Sequence, residues 1–206
     1  MKKFFSRFYI AIIFVFLYAP IATLIVLSFN KSKTRAKWGG FTTKWYVELF
    51  ENEIIMEALS NTLWLALLSA LIATVIGTAA CIAINQMNKA WRTFFMGVTN
   101  IPMLNADIVT GISLMLLYLS FGMSFGFSTI LLAHITFDVP YVILSVLPKL
   151  KQMNKHTYEA ALDLGATPTY ALMHVIIPEC KQGIITGAML AFTLSLDDFT
   201  ISYFTT

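Results

Sequence analysis

Long apolar runs separated by short polar stretches dominate the hydrophobic pattern of this chain. Runs of about 20 apolar residues are typical of helices that cross the hydrocarbon core of a membrane, which is about 30 Å thick. The pattern predicts five spans, at about residues 8–29, 59–87, 94–119, 127–147 and 182–204. The second run is too long to cross straight, so its helix should emerge at both ends.

The composition is also that of a membrane protein. The chain is 58% hydrophobic and only 12% charged, whereas soluble domains carry about 25% charged residues. We therefore expect an all-α polytopic membrane protein with a single transmembrane permease domain over residues 1–206. The net charge of +3 comes without a basic patch interleaved with aromatics, so no nucleic-acid partner is predicted. Cys81 and Cys180 lack metal-ligand spacing, so no metal site is predicted.

The first apolar run should be a retained span. Lys2, Lys3 and Arg7 precede it, as in a signal peptide, but a signal peptide has an apolar core of only about 7–15 residues and a small-residue cleavage site. This run is longer and has no clear site of that kind.

The polar passage between the fourth and fifth runs, residues 148–181, predicts two short helices joined by an elbow. Asn154 caps the start of the first, and Gly165 ends it in a left-handed conformation. Thr167 and Pro168 start the second, and Pro178 is expected to stop it. Isolated helices below roughly 12–15 residues are marginal in water, so this pair needs a partner surface.

The same passage resembles the cytoplasmic EAA loop of ABC-importer permeases. The resemblance rests on Glu159-Ala160-Ala161, then Gly165, then Ile176-Ile177-Pro178, between two spans. It implies a type I ABC-importer permease (MetI-like) bundle of about five transmembrane helices, with a cytoplasmic coupling helix seated in a groove of an ATPase subunit. The residues expected at that contact are Glu159, Ala160, Ala161, Asp163, Gly165 and Pro178.

Further segments resemble the second permease subunit of bacterial spermidine/putrescine importers, over nearly the whole chain. They are Ala19-Pro20, GFTTKWY, NADIVTGISL, HITFDVPYV and LSLDDFTISYF. The resemblance implies a multi-pass protein of the bacterial inner membrane that forms half of a polyamine pathway. It implies as partners a second permease subunit, two ATPase subunits, a periplasmic binding protein and membrane lipid. The family usually has one more span after the fifth, and that sixth span is absent from this sequence.

The chain is expected to be a non-catalytic subunit. Its sequence has no GxxxxGK[ST] motif for binding ATP phosphates. The resemblance accordingly implies no cofactor on this chain, with ATP and Mg²⁺ held by the partner ATPase.

Acidic side chains inside the spans are the candidate substrate-pathway residues, because each costs about 2.5–3.5 kcal/mol at a helix centre. Asp107 is expected near the middle of the third span, and Asp197 and Asp198 lie in the outer half of the fifth. The last two point about 100° apart on a helix, so at most one faces a pore squarely. Trp45 either offers an aromatic face to a cation or anchors an interfacial helix. The resemblance matches Trp45, Asp107 and one of Asp197 and Asp198 to positions that meet a polyamine.

Two further patterns have structural interpretations. Asp138, near the middle of the fourth span, has His134 four residues earlier, so an i,i+4 pair could satisfy its carboxylate locally. The resemblance does not include Asp138 among the substrate positions. Gly183 and Gly187, four residues apart, indicate close packing between helices.

Other functions stay open at this point. The chain could serve an importer for another small cationic or polar solute. An intramembrane aspartyl enzyme would pair Asp107 and Asp138 over a shared proton, but neither aspartate follows a glycine, and an enzyme would not explain the EAA-like loop. A proton-driven carrier is disfavoured because the sequence lacks an inverted repeat.

The distribution of basic residues predicts a cytoplasmic N-terminus, since cytoplasmic loops carry more lysine and arginine. With the N-terminus inside, the inner segments hold nine basic residues: Lys2, Lys3, Arg7, Lys89, Arg92, Lys149, Lys151, Lys155 and Lys181. The outer segments hold five: Lys31, Lys33, Arg35, Lys37 and Lys44.

This orientation can be tested with single cysteines in a background without Cys81 and Cys180. Cysteines replacing Lys89 and Lys155 should react with a membrane-impermeant thiol reagent only from the cytoplasmic side. A cysteine replacing Lys37 should react only from the periplasmic side. Labelling of position 155 from the periplasm would contradict the topology.

Overall fold

The computed structural model describes residues 2–34 and 37–206, with the backbone alone for residues 2–6 and for Lys155. The regular elements in these ranges are helices, so the predicted all-α fold is confirmed. They are α1 (Lys2–Ser28), α2 (Lys44–Glu51), α3 (Glu53–Gln86), α4 (Lys89–Leu104), α5 (Asp107–Ser120), α6 (Phe127–Gln152), α7 (Lys155–Asp163), α8 (Pro168–Ala171), α9 (Ile177–Asp197) and α10 (Thr200–Thr205).

The helices group into two compact units, Met1–Ser60 and Asn61–Thr206, where the sequence predicted one domain. In the first unit, the buried side chain of Asn30 organises the loop after α1. Its Nδ2 donates to the carbonyl of Lys37 at 2.9 Å, and its Oδ1 accepts from the backbone N–H groups of Ser32 and Gly39 at 3.1 and 2.7 Å. The side chain of one asparagine therefore holds this loop together.

In the second unit, the close packing of α6 against α9 is the main helix–helix contact. A Cβ added at Gly183 would lie 2.9 Å from the carbonyl oxygen of Ser145, and one at Gly187 would lie 3.2 Å from the Cα of Val142. The close approach predicted from the spacing of these glycines is confirmed. α3 joins the same core through Ala73 and Cys81.

Four described helical segments are long and apolar enough to cross a membrane: Arg7–Ser28, Glu53–Gln86, Phe127–Gln152 and Pro168–Asp197. The predicted third span is instead a pair of helices, α4 and α5, bent by 108°. α4 continues past Pro102 to Leu104, and the break falls at Asn105 and Ala106, which are both extended. Asp107 therefore begins a helix and does not lie in the middle of one.

The expectation that Pro178 stops the second short helix is wrong. Leu172–Ile176 form a π-helical turn, and the chain continues as α9 through Pro178 to Asp197. Within a regular α-helix, the proline ring would clash with the carbonyl four residues earlier. The wider π turn, closed by the N–H of Ile177 on the carbonyl of Leu172, gives the ring room. The elbow and the last long span are thus mechanically continuous.

The predicted fifth span is also broken. α9 ends at Asp197, Asp198 is extended, and α10 begins at Thr200. The carboxylate of Asp198 accepts from the backbone N–H groups of Ile201 at 3.2 Å and Ser202 at 2.9 Å. These are donors that the start of a helix leaves without an intrahelical partner, so Asp198 stabilises the break.

A glycine pair tests the close packing. Gly183→Ala should lower the midpoint of thermal unfolding in detergent, because its Cβ forces α6 and α9 apart at a typical cost of about 1–3 kcal/mol. Gly97→Ala is the matched control, since a Cβ there meets no atom within 4 Å. Alanine in an open helix interior should stabilise by up to about 1 kcal/mol. Equal midpoints for the two variants would contradict the packing argument.

Candidate translocation cleft and coupling surface

A cleft of about 930 Å³ opens at the break between α9 and α10. Two aspartates, Asp197 and Asp198, and four aromatic side chains, Phe125, Phe199, Tyr203 and Phe204, are among its lining residues. Neither lysine nor arginine occurs among the described residues of this lining. Carboxylates beside aromatic faces form an environment that attracts an organic cation.

The two neighbouring aspartates have different environments. Asp197 is exposed, and its carboxylate makes no hydrogen bond or ion pair within the described part of the chain. The Asp198 side chain is only 6% exposed and lies 3.6 Å from Nε2 of His134, in addition to its bonds at the start of α10. Of the pair, Asp197 is therefore the carboxylate that is free to bind a ligand.

A buried polar network that the sequence interpretation missed connects α3, α6 and the break. His134 contacts Ser195 Oγ through Nδ1 at 2.6 Å and Ser202 Oγ through Nε2 at 2.9 Å. Ser69 donates to Ser195 at 3.0 Å. The spacing of Ser195, Asp198 and Ser202 at i, i+3 and i+7 was the available signal for a shared polar face.

The predicted local pair between His134 and Asp138 does not form, since His134 turns to Ser195, Ser202 and Asp198. Asp138 is completely buried, beside Ser69, and neither of its carboxylate oxygens has a hydrogen-bond partner among the described residues. A catalytic carboxylate dyad shares a proton through a direct hydrogen bond. Asp138 makes no such bond to Asp107, so the geometry disfavours the aspartyl-enzyme alternative.

Asp107 lies at the exposed first position of α5 and does not line the cleft. A carboxylate at this position is stabilised by the positive end of the helix dipole. α5 packs against α10, where Gly111 approaches Ile201 and Phe204. Asp107 thus belongs to the same helix group as the cleft, and its role as a substrate residue stays a prediction.

Trp45 lies in the first unit, on α2. Its Nε1 donates to the carbonyl of Asn30 at 2.8 Å, and Nζ of Lys44 lies 5.9 Å from its ring centroid. The indole lines a cavity of about 490 Å³ together with Ser28 and Tyr46. This geometry favours the anchoring role over the substrate-binding role for Trp45.

The elbow after α6 has the local structure that the sequence predicts. Asn154 caps α7 by accepting from the N–H of His156 at 3.1 Å. Gly165 has φ +88°, and the N–H of Ala166 bonds to the carbonyl of Ala161 at 3.1 Å, as in a Schellman motif. Thr167 then accepts from the N–H of Tyr170 to start α8. Gly165 is thus the hinge of the elbow.

The elbow presents an apolar surface that nothing in the described chain covers. Tyr158 packs against the core, while Leu164 is 89% exposed and Tyr170 and Met173 are also exposed. Leu164 and Tyr170 line a shallow cleft of about 510 Å³ at Gly165. The other predicted coupling residues, Glu159, Ala160, Asp163 and Pro178, are exposed, and Ala161 is half-buried. An exposed apolar patch on a polar loop is typical of a protein–protein contact.

Broken helices around an acidic cleft and an exposed elbow between spans define a multi-pass membrane transport protein. Residues 75–206 match the family described as "Binding-protein-dependent transport system inner membrane component", and the chain belongs to this family. The matched range includes the elbow and both sides of the α9–α10 break, and it lies within the second compact unit.

Three relatives are similar to nearly the whole chain. The "Spermidine/putrescine transport system permease protein PotC" of Escherichia coli K12 is 39% identical over 194 residues, which are 94% of this chain and 74% of that protein. The protein of the same name from Haemophilus influenzae is 35% identical, over 99% of this chain and 80% of that protein. The "Putrescine transport system permease protein PotI" of E. coli K12 is 36% identical, over 93% of this chain and 70% of that protein.

A solved structure has the same fold. It is a chain from the crystal structure of a bacterial ABC transporter involved in the import of the acidic polysaccharide alginate. The TM-score is 0.74 and the identity 17%, over 99% of this chain and 80% of that chain. This similarity confirms the predicted importer-permease fold.

Proposed function

We propose that this chain is a membrane-spanning permease subunit of an ATP-driven importer for polyamines and forms one half of the translocation pathway. The observation that carries the proposal is the cleft at the α9–α10 break, with its free carboxylate and aromatic walls. The names of the relatives point to the same class of substrate.

The chemistry of the cleft suits an alkyl chain that carries ammonium groups. Asp197 supplies an unpaired negative charge, and Asp198 adds to the local potential although its oxygens are occupied. Phe199 and Tyr203 offer ring faces beside these charges, each worth about 0.5–2 kcal/mol to a cation. The methylene segments of a polyamine would lie against the same rings.

The elbow supports coupling to a cytoplasmic ATPase. Its exposed apolar side chains need a partner, and the continuous helix from Pro168 to Asp197 joins that surface to the cleft. A displacement of the elbow would therefore be transmitted to the break at Asp198 along this one helical segment. The chain itself is non-catalytic in this scheme, with ATP and Mg²⁺ on two ATPase subunits and with α1 starting in the cytoplasm.

The first long helix supports an assembly with further membrane partners. The segment Arg7–Ser28 has a mean hydropathy of 2.8, and none of its most apolar window is buried in the described chain. Such a helix is stable only when lipid or another apolar helix surrounds it. We propose lipid and a second permease subunit as its surroundings, and a periplasmic binding protein as the donor of substrate.

Removal of the free carboxylate tests the proposed substrate. Asp197→Asn keeps the shape of the side chain but deletes its charge, and polyamine uptake by the assembled transporter should fall about tenfold, which corresponds to ~1.4 kcal/mol. Glu51→Gln is a matched control, because it removes an exposed carboxylate from α2, which does not line the cleft. Normal uptake by a correctly assembled Asp197→Asn transporter would contradict the proposed role of the cleft.

Substitutions at the hinge test coupling. Gly165→Ala adds a Cβ that meets no atom within 4 Å, so its effect comes from the left-handed backbone alone, at about 1–2 kcal/mol. Substrate-stimulated ATP hydrolysis should fall in this variant. Gly165→Asn should retain more activity, because asparagine adopts this conformation more readily. Identical hydrolysis by the alanine, asparagine and unaltered chains would exclude the elbow from coupling.

A further inference from the structure

The hydrogen bonds around His134 have a single consistent direction. Ser202 Oγ donates its proton to Asp198 Oδ2 at 3.2 Å, so it accepts the ring proton of His134 from Nε2 at 2.9 Å, while Ser195 Oγ lies 2.6 Å from Nδ1. Nδ1 is then an acceptor, and the ring proton resides on Nε2, which faces Ser202 Oγ at 2.9 Å and Asp198 Oδ2 at 3.6 Å. The network thus assigns the tautomer of the imidazole.

Donors surround one oxygen of Asp198. Its Oδ2 accepts from the N–H of Ser202 at 2.9 Å and from Ser202 Oγ at 3.2 Å, and Nε2–H of His134 approaches it from α6. The Asp198 side chain is 6% exposed and that of His134 is 1% exposed. Hydrogen bonds to a charged group are stronger than those between neutral groups. Asp198 is therefore held at the start of α10 and is not available to a passing cation.

We propose that His134 is a positioning residue of the transport pathway, whose imidazole acts through Ser202 to hold Asp198 at the start of α10 and so maintains the break that leaves Asp197 free in the cleft. The part that concerns substrate rests on the proposed function. The part that concerns the break rests on geometry alone.

Packing alone does not account for this histidine. The contact between α6 and α9 is already made by the apolar and small residues around Gly183 and Gly187. An apolar side chain at position 134 would fill the same space. It would leave the hydroxyl of Ser195 without its acceptor, and it would leave Ser202 Oγ, which donates to Asp198, without the N–H of the imidazole. A buried polar group that loses its partner destabilises the structure around it, and here that structure is the break.

Three substitutions of His134 distinguish the contribution of its Nδ1 contact from that of its Nε2 contact. His134→Gln retains an N–H near the position of Nε2, His134→Asn reaches only the Nδ1 side, and His134→Leu retains neither. Thr136→Val is the control on the same helix, since its hydroxyl bonds only to the carbonyl of Leu132 on the outside of α6.

The first measurement is hydrogen exchange of the α10 peptide that contains Ile201 and Ser202, in the transporter assembled with its partner subunits in nanodiscs. Exchange reports the free energy of local opening, and we expect about tenfold faster exchange in the leucine and asparagine variants. The glutamine variant and the Thr136→Val control should match the unaltered chain. Unchanged exchange in the leucine variant, or equal exchange in the glutamine and asparagine variants, would overturn the proposal.

The second measurement is polyamine uptake in a double-mutant cycle. Asp197→Asn should lower uptake about tenfold in the unaltered chain but less than about threefold when His134 is already leucine, because Asp197 is no longer held in place. A full tenfold loss in both backgrounds would overturn the positioning role. If the leucine variant does not assemble, the same cycle with asparagine and glutamine at position 134 decides the question. If the proposed substrate is wrong, the unaltered chain will show no polyamine uptake. The order of the hydrogen-exchange rates among the His134 variants will then still hold, so the two failures can be distinguished.

Discussion

The close approach of α6 and α9 is the constraint on which the rest of the second unit depends. A small buried residue recurs at every fourth position of α9, as Gly183, Gly187, Ala191 and Ser195. The two glycines let the backbones touch, and the register set there carries Ser195 to within 2.6 Å of His134 at the other end of the contact. The packing of α6 against α9 thus determines that His134 meets Ser195. The polar network around His134 in turn stabilises the break between α9 and α10.

The helix breaks explain how two of the acidic residues, Asp107 and Asp198, are tolerated among apolar helices. A carboxylate on a continuous lipid-facing helix has no partner, whereas a break exposes backbone N–H groups that themselves need acceptors. Asp107 begins α5, and Asp198 caps α10. Each charge is placed where the backbone offers positive partial charge. The break between α9 and α10 also opens the cleft, so the feature that accommodates Asp198 also creates the candidate pathway.

The helix caps and turns were predictable from the sequence, whereas hydrogen bonds between residues far apart in the chain were not. Asn154, Gly165 and Thr167 act within three residues of themselves, so the elbow follows from residue type alone. The partner of His134 lies 61 residues away at Ser195, and an i,i+4 rule could only suggest Asp138. The prediction that Pro178 ends a helix was wrong for a related reason. The π turn before it accommodates the proline, and no local sequence pattern indicates such a turn. The break at Asn105 and Ala106 likewise falls at two residues that are neither proline nor glycine.

Three aspartates of the second unit show why residue type alone does not define a site. Asp138 is buried without a hydrogen-bond partner among the described residues, Asp198 is held by donors, and Asp197 is exposed and unpaired. In the proposed function, this cleft therefore offers one free carboxylate to a substrate that carries at least two ammonium groups. The remaining charge has to be met by ring faces here and by acidic groups elsewhere along the pathway. A single free carboxylate on this side is the arrangement expected of one half of a pathway that two permease subunits complete.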